Sequence, residues 1–313
     1  MKEFLFIINP VSGGRRGDLL RHRLLEALPK RIPRSSYDIL LTDRGTVKLP
    51  ATEYKTVVVA GGDGSIWQTV QKLIQRQAIP KLGIIPVGTA NDLARVSGMP
   101  KLLKKAGMHG LLKAIERGKT ISLDVLKLNE HLFFTNYYGI GVDATVACTI
   151  NAFREKHAFS HRAAWTRGKF LYCLAGLCNL GLRLPCPVEL RYEDERGEKH
   201  TVTVPVGSRQ IIVTNIPWYA AGAQPSSRCS IDDGLFETTI LTSTRHWVLL
   251  HLTRFLSIPF DKLLRSGITV QARSLSLHWN GQVHCQLDGE TFHGQEPPPH
   301  TITVGRQVEL IVP

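Results

Sequence analysis

The chain is poor in sulfur: six cysteines and three methionines in 313 residues. The cysteines, at positions 148, 173, 178, 186, 229 and 285, form no Cys-x-x-Cys pair, and no Cys/His group has zinc spacing. So few scattered thiols exclude a disulfide scaffold and predict a reduced, cytosolic protein. A Walker A loop, Gly-x-x-x-x-Gly-Lys-[Ser/Thr], is absent. Long apolar runs are absent too. Phe170–Leu182 is broken by glycine and asparagine, short of the roughly 18 apolar residues a membrane span needs. The opening Met1-Lys2-Glu3 runs into Phe4–Ile8, too short for a signal peptide. The expectation is a soluble or membrane-peripheral protein. Acidic residues are scarce beside basic ones, 26 against 39, for a formal charge of +13. That surplus suits nucleic acid, an anionic membrane or nucleotide phosphates, and does not choose among them. No repeat and no low-complexity tail occurs.

Two textures divide what is present. Phe4–Ile8, Tyr37–Thr42, Thr56–Ala60 and Leu82–Pro86 read as strands, alternating with helical stretches at Leu19–Leu28, Ile66–Gln75 and Asn91–Val96. This alternation predicts a parallel sheet covered on both faces, with ligands beyond the carboxyl ends of its strands. From about residue 121 the pattern changes to short strands: a hairpin of Ile121–Leu128 with His131–Tyr137, then Val188–Tyr192, Thr201–Val206, Gln210–Thr214, Phe236–Leu241 and Ser274–Trp279. Helical stretches near 163–182 and 245–263 interrupt them. The prediction is an α/β domain over residues 1–121, to which a strand near 302–313 returns, and a mainly antiparallel β-rich domain over 122–301.

Four segments carry chemistry. Asn9-Pro10-Val11-Ser12-Gly13-Gly14-Arg15-Arg16 follows a strand, with glycines for close backbone approach and arginines for phosphate oxygens. Gly61-Gly62-Asp63-Gly64-Ser65 is a tight loop with exposed amides, and its aspartate would repel phosphate unless a cation lay between. Pro86–Arg95 contains Gly88-Thr89-Ala90-Asn91-Asp92 at another strand end, where a plain helix cap is the alternative reading. Asp288-Gly289-Glu290 is by itself only a turn signal.

Together, Asn-Pro-x-Ser-Gly, Gly-Gly-Asp-Gly, Gly-Thr-x-Asn-Asp-x-Ala-Arg, Gly-x-Gly-x-Asp-Ala at Gly139–Ala144 and the late Asp-Gly-Glu resemble the diacylglycerol kinase catalytic-domain family, from residue 4 to about 311. That family includes bacterial soluble lipid kinases, sphingosine kinases and ceramide kinases. The resemblance implies an α/β nucleotide domain and a β-rich lipid-binding domain with ATP in the cleft between them. It implies that Asn9, Pro10, Val11, Ser12, Gly13, Thr42, Gly62, Asp63, Gly64, Ser65, Ile66, Trp67, Gln68 and Thr89 line the nucleotide site. Asp288 matches the general base, and Asp63, Asp92 and Asp124 match acidic residues that organise catalytic magnesium through water. A structural magnesium is implied at Asp233, with backbone oxygens of Ser230 and Leu235. Trp67-Gln68 departs from the usual Asn-Glu, and Ser65 stands where threonine is usual.

The implied activity is phosphorylation of a diacylglycerol-like lipid with ATP and Mg2+ at an anionic membrane surface, with homodimers known among bacterial members. Two stretches, Trp165–Tyr172 and His246–Phe260, mix aromatic and basic residues as interfacial segments do. In the second, Trp247, Leu250, Arg254 and Phe255 are candidates to share a surface. An NAD kinase-like enzyme of a soluble metabolite, or a catalytically silent nucleotide- or lipid-binding protein, are the alternatives. Nucleic-acid binding is disfavoured, since no reader motif accompanies the charge.

Overall fold

The structure, a computed structural model, describes residues 2–42, 46–88, 90–156, 175–176, 178–179, 181–264, 269–291 and 297–313, without the side chains of 14–16 and 153–156. The chain forms two compact units. Among the described residues, one comprises Lys2–Leu123 and Gln307–Pro313, and the other comprises those between Asp124 and Arg306.

In the first unit, β1 (Lys2–Ile8), β2 (Tyr37–Leu41), β3 (Tyr54–Gly61) and β4 (Lys81–Pro86) form a parallel sheet in the order β2-β1-β3-β4. Register pairs Phe6 with Ile39 on one side and Val58 on the other. Central β1 and β3 are near-continuous apolar runs because both sheet faces are covered. Helices α1 (Ser12–Ala27), α2 (Asp63–Gln75), α3 (Asp92–Ser97) and α4 (Met99–Arg117) make the crossovers. Phe6, Ile8, Val58 and Ile85 pack with Leu24, Leu28, Leu111 and Ile115 in one core. The chain leaves β1 toward β2 on one side and returns as β3 on the other. The C-terminal ends of β1 and β3 therefore flank a topological switch point, where such sheets bind ligands.

The glycine-rich segment after Asn9 is not an open turn. Helix α1 starts at Ser12, and Gly13 at φ +60° supplies its irregular first turn.

Two strands, β5 (Thr120–Leu128) and the C-terminal strand His300–Ile311, run from one unit into the other along the chain. In the second unit, β5 pairs antiparallel with β6 (Leu132–Phe134). The second arm expected as His131–Tyr137 is split by a turn at Thr135-Asn136, after which β7 (Tyr137–Gly141) enters a different sheet. Helix α5 (Val142–Lys156) follows, where the sequence showed only Gly-x-Gly-x-Asp-Ala. Strands β8 (Val188–Glu193) and β9 (Lys199–Val204) form a hairpin, with β10 (Gln210–Thr214) and β11 (Phe236–Leu241) following. Next come α6 (Thr244–Leu256), α7 (Phe260–Leu263), β12 (Thr269–Ala272), β13 (Ser274–His278), β14 (Cys285–Leu287), β15 (Glu290–Thr291) and β16 (His300–Ile311). One antiparallel sheet has the order β12-β11-β10-β7-β14-β15, and β13 joins β8 to the first part of β16. Leu250 of α6 packs on Tyr137, Ile212 and Leu241. Among the described residues, no helix is long and apolar enough to cross a membrane.

Candidate functional site

Three loops meet beyond the C-terminal ends of β1, β3 and β4 in the first unit. Asn9 N–H donates to the Ala60 carbonyl at 3.0 Å, and Val87 N–H to the Gly61 carbonyl at 3.1 Å, so each loop leaves its strand already fastened to the next. The Asn9 side-chain amide donates to Ser65 Oγ at 2.8 Å, while its Oδ1 accepts Val11 N–H at 3.2 Å. Two glycines are required by space. A Cβ on Gly88 would lie 2.5 Å from Gly62 Cα, and one on Gly62 would lie 3.1 Å from Gly88 Cα and 3.4 Å from Ser12 Oγ.

The acidic residues here are structurally engaged. Asp63 Oδ2 accepts Asn91 N–H at 2.9 Å. Burial pushes the Asp63 carboxyl up, opposed by backbone amides of Asn91 and Leu93 at the start of α3. Asp92 is fully buried, with Arg95 Nε 3.6 Å from its Oδ1. Thr42 is buried just past the end of β2, and its Oγ1 has no hydrogen-bond partner among the described residues.

Gln68 has a role the sequence did not signal. Its Oε1 accepts Val47 N–H at 3.1 Å, Lys72 Nζ donates to the Val47 carbonyl, and Arg76 donates to the carbonyls of Leu49 and Pro50. One face of α2, read at every fourth residue, clasps the segment before β3. An amide oxygen accepts this N–H as a glutamate oxygen would, so glutamine at 68 keeps the clasp. Thr89, the side chains of Arg15 and Arg16, and Trp165–Tyr172 lie outside the described residues.

In the second unit, Asp124, Asp288 and the Asp232-Asp233-Gly234 turn are joined by hydrogen bonds. Asp124 Oδ2 accepts Gly234 N–H at 2.8 Å, and Asp124 N–H donates to the Ile231 carbonyl at 2.6 Å. Buried Asn215 donates through Nδ2 to the carbonyls of Asp124 at 2.6 Å and Thr135 at 3.1 Å. Asp288, at φ +50° and buried, accepts Asn136 and Tyr137 N–H groups on Oδ1, each at 2.9 Å. Its Oδ2 accepts Thr135 N–H at 3.0 Å and Thr135 Oγ1 at 3.2 Å. That same hydroxyl lies 3.1 Å from Asn136 Oδ1, so its single proton has two acceptors. Asn215 was missed because nothing local marks it. It ends β10 and works through partners 80 and 91 residues away.

The residues around Asp233 suit a cation. Burial raises the Asp233 carboxyl, as do the charges of Asp124 and Asp232, while Leu235 N–H, 3.0 Å from Asp233 Oδ1, opposes them. Ser230 Oγ donates to Asp232 Oδ1 at 3.0 Å. Burial first, and Asp233 after it, push Glu237 up to about 7, against hydrogen bonds from the Cys229 thiol and from Gln271 Nε2, 3.1 Å from its Oε1. A divalent ion relieves this crowding of like charge. Among the described residues, the trio whose ligand atoms all fall within 4.8 Å of one another lies elsewhere, at Asp194, Glu198 and His200. There Asp194 closes the β8–β9 turn by accepting Arg196 and Glu198 N–H, each at 2.9 Å.

Residues 3–128 match the diacylglycerol kinase catalytic domain, and residues 133–291 match the diacylglycerol kinase accessory domain. The chain belongs to the diacylglycerol kinase family. It therefore carries both domains of a family of lipid phosphotransferases. The chain is 26% identical to diacylglycerol kinase 1 of Arabidopsis thaliana over 97% of its own length but only 43% of that protein. To the probable lipid kinase YegS of Salmonella arizonae it is 27% identical, covering 77% of this chain and 73% of the relative. The Drosophila eye-specific diacylglycerol kinase is 28% identical over 76% of this chain, which spans 18% of that relative. The crystal structure of a diacylglycerol kinase from Bacillus anthracis superposes with a TM-score of 0.67 at 22% identity, covering 100% of this chain and 97% of that one. This diacylglycerol kinase family member thus shares the two-domain fold as well as the sequence motifs.

Proposed function

We propose that the protein is an ATP-dependent lipid kinase that phosphorylates the hydroxyl of a diacylglycerol-like acceptor, using Mg2+ and working peripherally at an anionic membrane in the cytoplasm. The convergence of the loops at 9–13, 61–65 and 87–91 at the switch point carries this reading, because glycines at 62 and 88 let two of the loops pack backbone against backbone beside the place where a polyphosphate would lie. Asn9 and Ser65 hold two of those loops at a fixed spacing, Thr42 Oγ1 is unpartnered among the described residues, and Thr89 joins the set by its place in the motif.

In the reaction, the acceptor oxygen attacks the terminal phosphorus of ATP, the bond to the bridging oxygen breaks, and ADP leaves with that electron pair. The hydroxyl proton passes to Asp288 as general base. Thr135, Asn136 and Tyr137 donate to Asp288, and the Thr135 hydroxyl is a donor that can turn away, to Asn136 Oδ1, as the substrate proton arrives. Magnesium, when bound, would neutralise charge on the phosphates. Asp63, Asp92 and Asp124 are proposed to organise it through water, and Asp233, with the backbone of Ser230 and Leu235, to hold a structural ion. The Asp233 surroundings support the second assignment.

The test is turnover of Mg2+-ATP with diacylglycerol in mixed micelles, with the product weighed by mass spectrometry, for the wild type and Asp288→Asn. Formation of the phosphorylated lipid by the wild type, and its loss in a folded variant, support the proposal. Phosphorylation of NAD with no lipid turned over would replace it with a soluble-metabolite kinase. ATP binding without any transfer would identify a silent nucleotide-binding protein.

A further inference from the structure

Helix α6 is inside out for a surface helix. Such a helix normally buries its apolar stripe and shows charge to solvent. Leu250 and Thr253 are buried here, yet Val248, Leu252, Phe255 and Leu256 fall on the opposite face and are 41%, 42%, 78% and 49% exposed. Ile258, just past the helix, adds another at 43%. Of the twelve large hydrophobic side chains exposed among the described residues, these five fall within eleven consecutive positions, so the patch is not scattered surface apolarity. The residues expected to share a surface do not. Leu250 belongs to the core and Trp247 packs on Val142, Val146 and Ile150, whereas Phe255 and Arg254 face solvent.

Within α6 the charges have one sign. No aspartate or glutamate occurs from Thr238 to Phe260. Arg245 and Arg254 of α6, Lys262 beyond it and Arg183, whose Nη1 reaches Thr244 Oγ1 at 3.4 Å, are all exposed. Asp261, the first acid beyond the helix, is engaged by Ser227, whose N–H and Oγ donate to its Oδ2 at 2.9 and 2.7 Å. An apolar face on a helix whose own charges are all cationic is complementary to the surface of an anionic bilayer, where the apolar side chains enter the acyl boundary and Arg245 meets phosphate. A protein partner of matching shape would leave this single-sign charge without purpose unless it were itself acidic.

We infer that the outer face of α6, formed by Val248, Leu252, Phe255, Leu256 and Ile258 with Arg245, docks on anionic lipid bilayers. The inference rests on the lipid-kinase reading for its purpose, since a water-soluble kinase must reach an acceptor that stays in the membrane. Its geometry is independent of that reading.

The experiment measures flotation of the full chain with vesicles of phosphatidylcholine alone and of phosphatidylcholine with phosphatidylglycerol. A Leu252→Ser/Phe255→Ser variant and an Arg245→Gln variant are compared with the wild type. Because these side chains face solvent, thermal melting should be unchanged, which controls for folding. The wild type should bind the anionic vesicles preferentially. The double variant should bind them at least about tenfold more weakly, and Arg245→Gln should lose part of the preference for anionic lipid. Turnover of diacylglycerol in detergent micelles should be retained by both variants. Equal vesicle binding by the wild type and the double variant would overturn the inference. So would a fall in the mass of the lipid-free protein from dimer to monomer in the variant, which would make the face a contact between two copies. Should the wild type bind vesicles through this face while phosphorylating no lipid, docking stands and the kinase reading fails. Lipid turnover with no vesicle binding sinks docking alone.

Discussion

Asn9 donates its side-chain amide to the hydroxyl of Ser65 at 2.8 Å, and through that bond the loop after β1 sets the position of the loop after β3. Both residues are buried, so removing the donor leaves the Ser65 hydroxyl without its partner. Asn9→Ala is expected to cost about 1–2 kcal/mol in unfolding free energy. Because two nucleotide loops shift together, the Michaelis constant for ATP should rise while that for the acceptor stays unchanged. Urea titration and initial rates measure the two effects, and an unchanged ATP constant would remove Asn9 from the nucleotide site.

Gly88→Ala tests the contact between the second and third loops. The added Cβ would lie 2.5 Å from Gly62 Cα and 2.8 Å from Asn91 Oδ1, so one loop must move. The expected cost is about 1–3 kcal/mol, with ATP binding weakened in calorimetry even where the fold survives. Alanine at 88 binding ATP as the wild type does would show that the loops do not hold the phosphates.

Asn215→Leu keeps volume and deletes both donors that join the Asp124 carbonyl to that of Thr135. Two buried carbonyls then lose a donor, for an expected loss of about 2–4 kcal/mol. Since Thr135 in turn donates to Asp288, turnover should fall while ATP affinity holds. A variant whose turnover is normal per folded molecule would confine Asn215 to stability.

His251 sets a pH dependence. Burial lowers it to about 4 from 6.5, with Asp143 opposing and Arg254 adding to the shift. Its Nδ1 accepts Arg254 Nη2 at 2.8 Å, a bond only the neutral imidazole can make. A lowered folded-state value means the unfolded chain binds more protons between those two pH values. Stability from this group is therefore full above about 6.5 and lost as pH falls toward 4, by up to about 3 kcal/mol. His251→Gln should flatten the difference between unfolding free energies at neutral and mildly acidic pH, and an unaltered slope would assign it to other groups.

The parallel sheet was legible because buried strands such as Val57–Ala60 are unbroken apolar runs ending in glycine, a local signal. Helix α5 was not legible. Thr145, Val146 and Thr149 are β-branched, and Gly139-Ile140-Gly141 before them reads as a turn, so local preference favoured other structure until Val142, Val146 and Ile150 found a core. The outer face of α6 was hidden for a different reason. The helix is apolar nearly all round, and only packing decides which side meets solvent. Within the site, the glycine loops were visible because their chemistry lies in consecutive residues. The clamp of Thr135, Asn136 and Tyr137 on Asp288 spans more than 150 residues of chain, and Gln68 reads as a lost acid until its bond to Val47 is seen.

Residues 307–313 lie in the first unit, with Leu310 beside Leu82, Ile311 in the core of Phe6 and Val58, and Val312 N–H on the Lys119 carbonyl at 2.9 Å. The half of the molecule made first on the ribosome is thus completed by a strand made after the other half. During synthesis the parallel sheet waits with the β4 edge unpaired while some two hundred residues emerge, a period when an open edge invites wrong pairing. The second unit closes no sooner: β7 waits for β14, as Ile140 pairs with Cys285, and β13 pairs with the first part of that same last strand, so both halves are finished together.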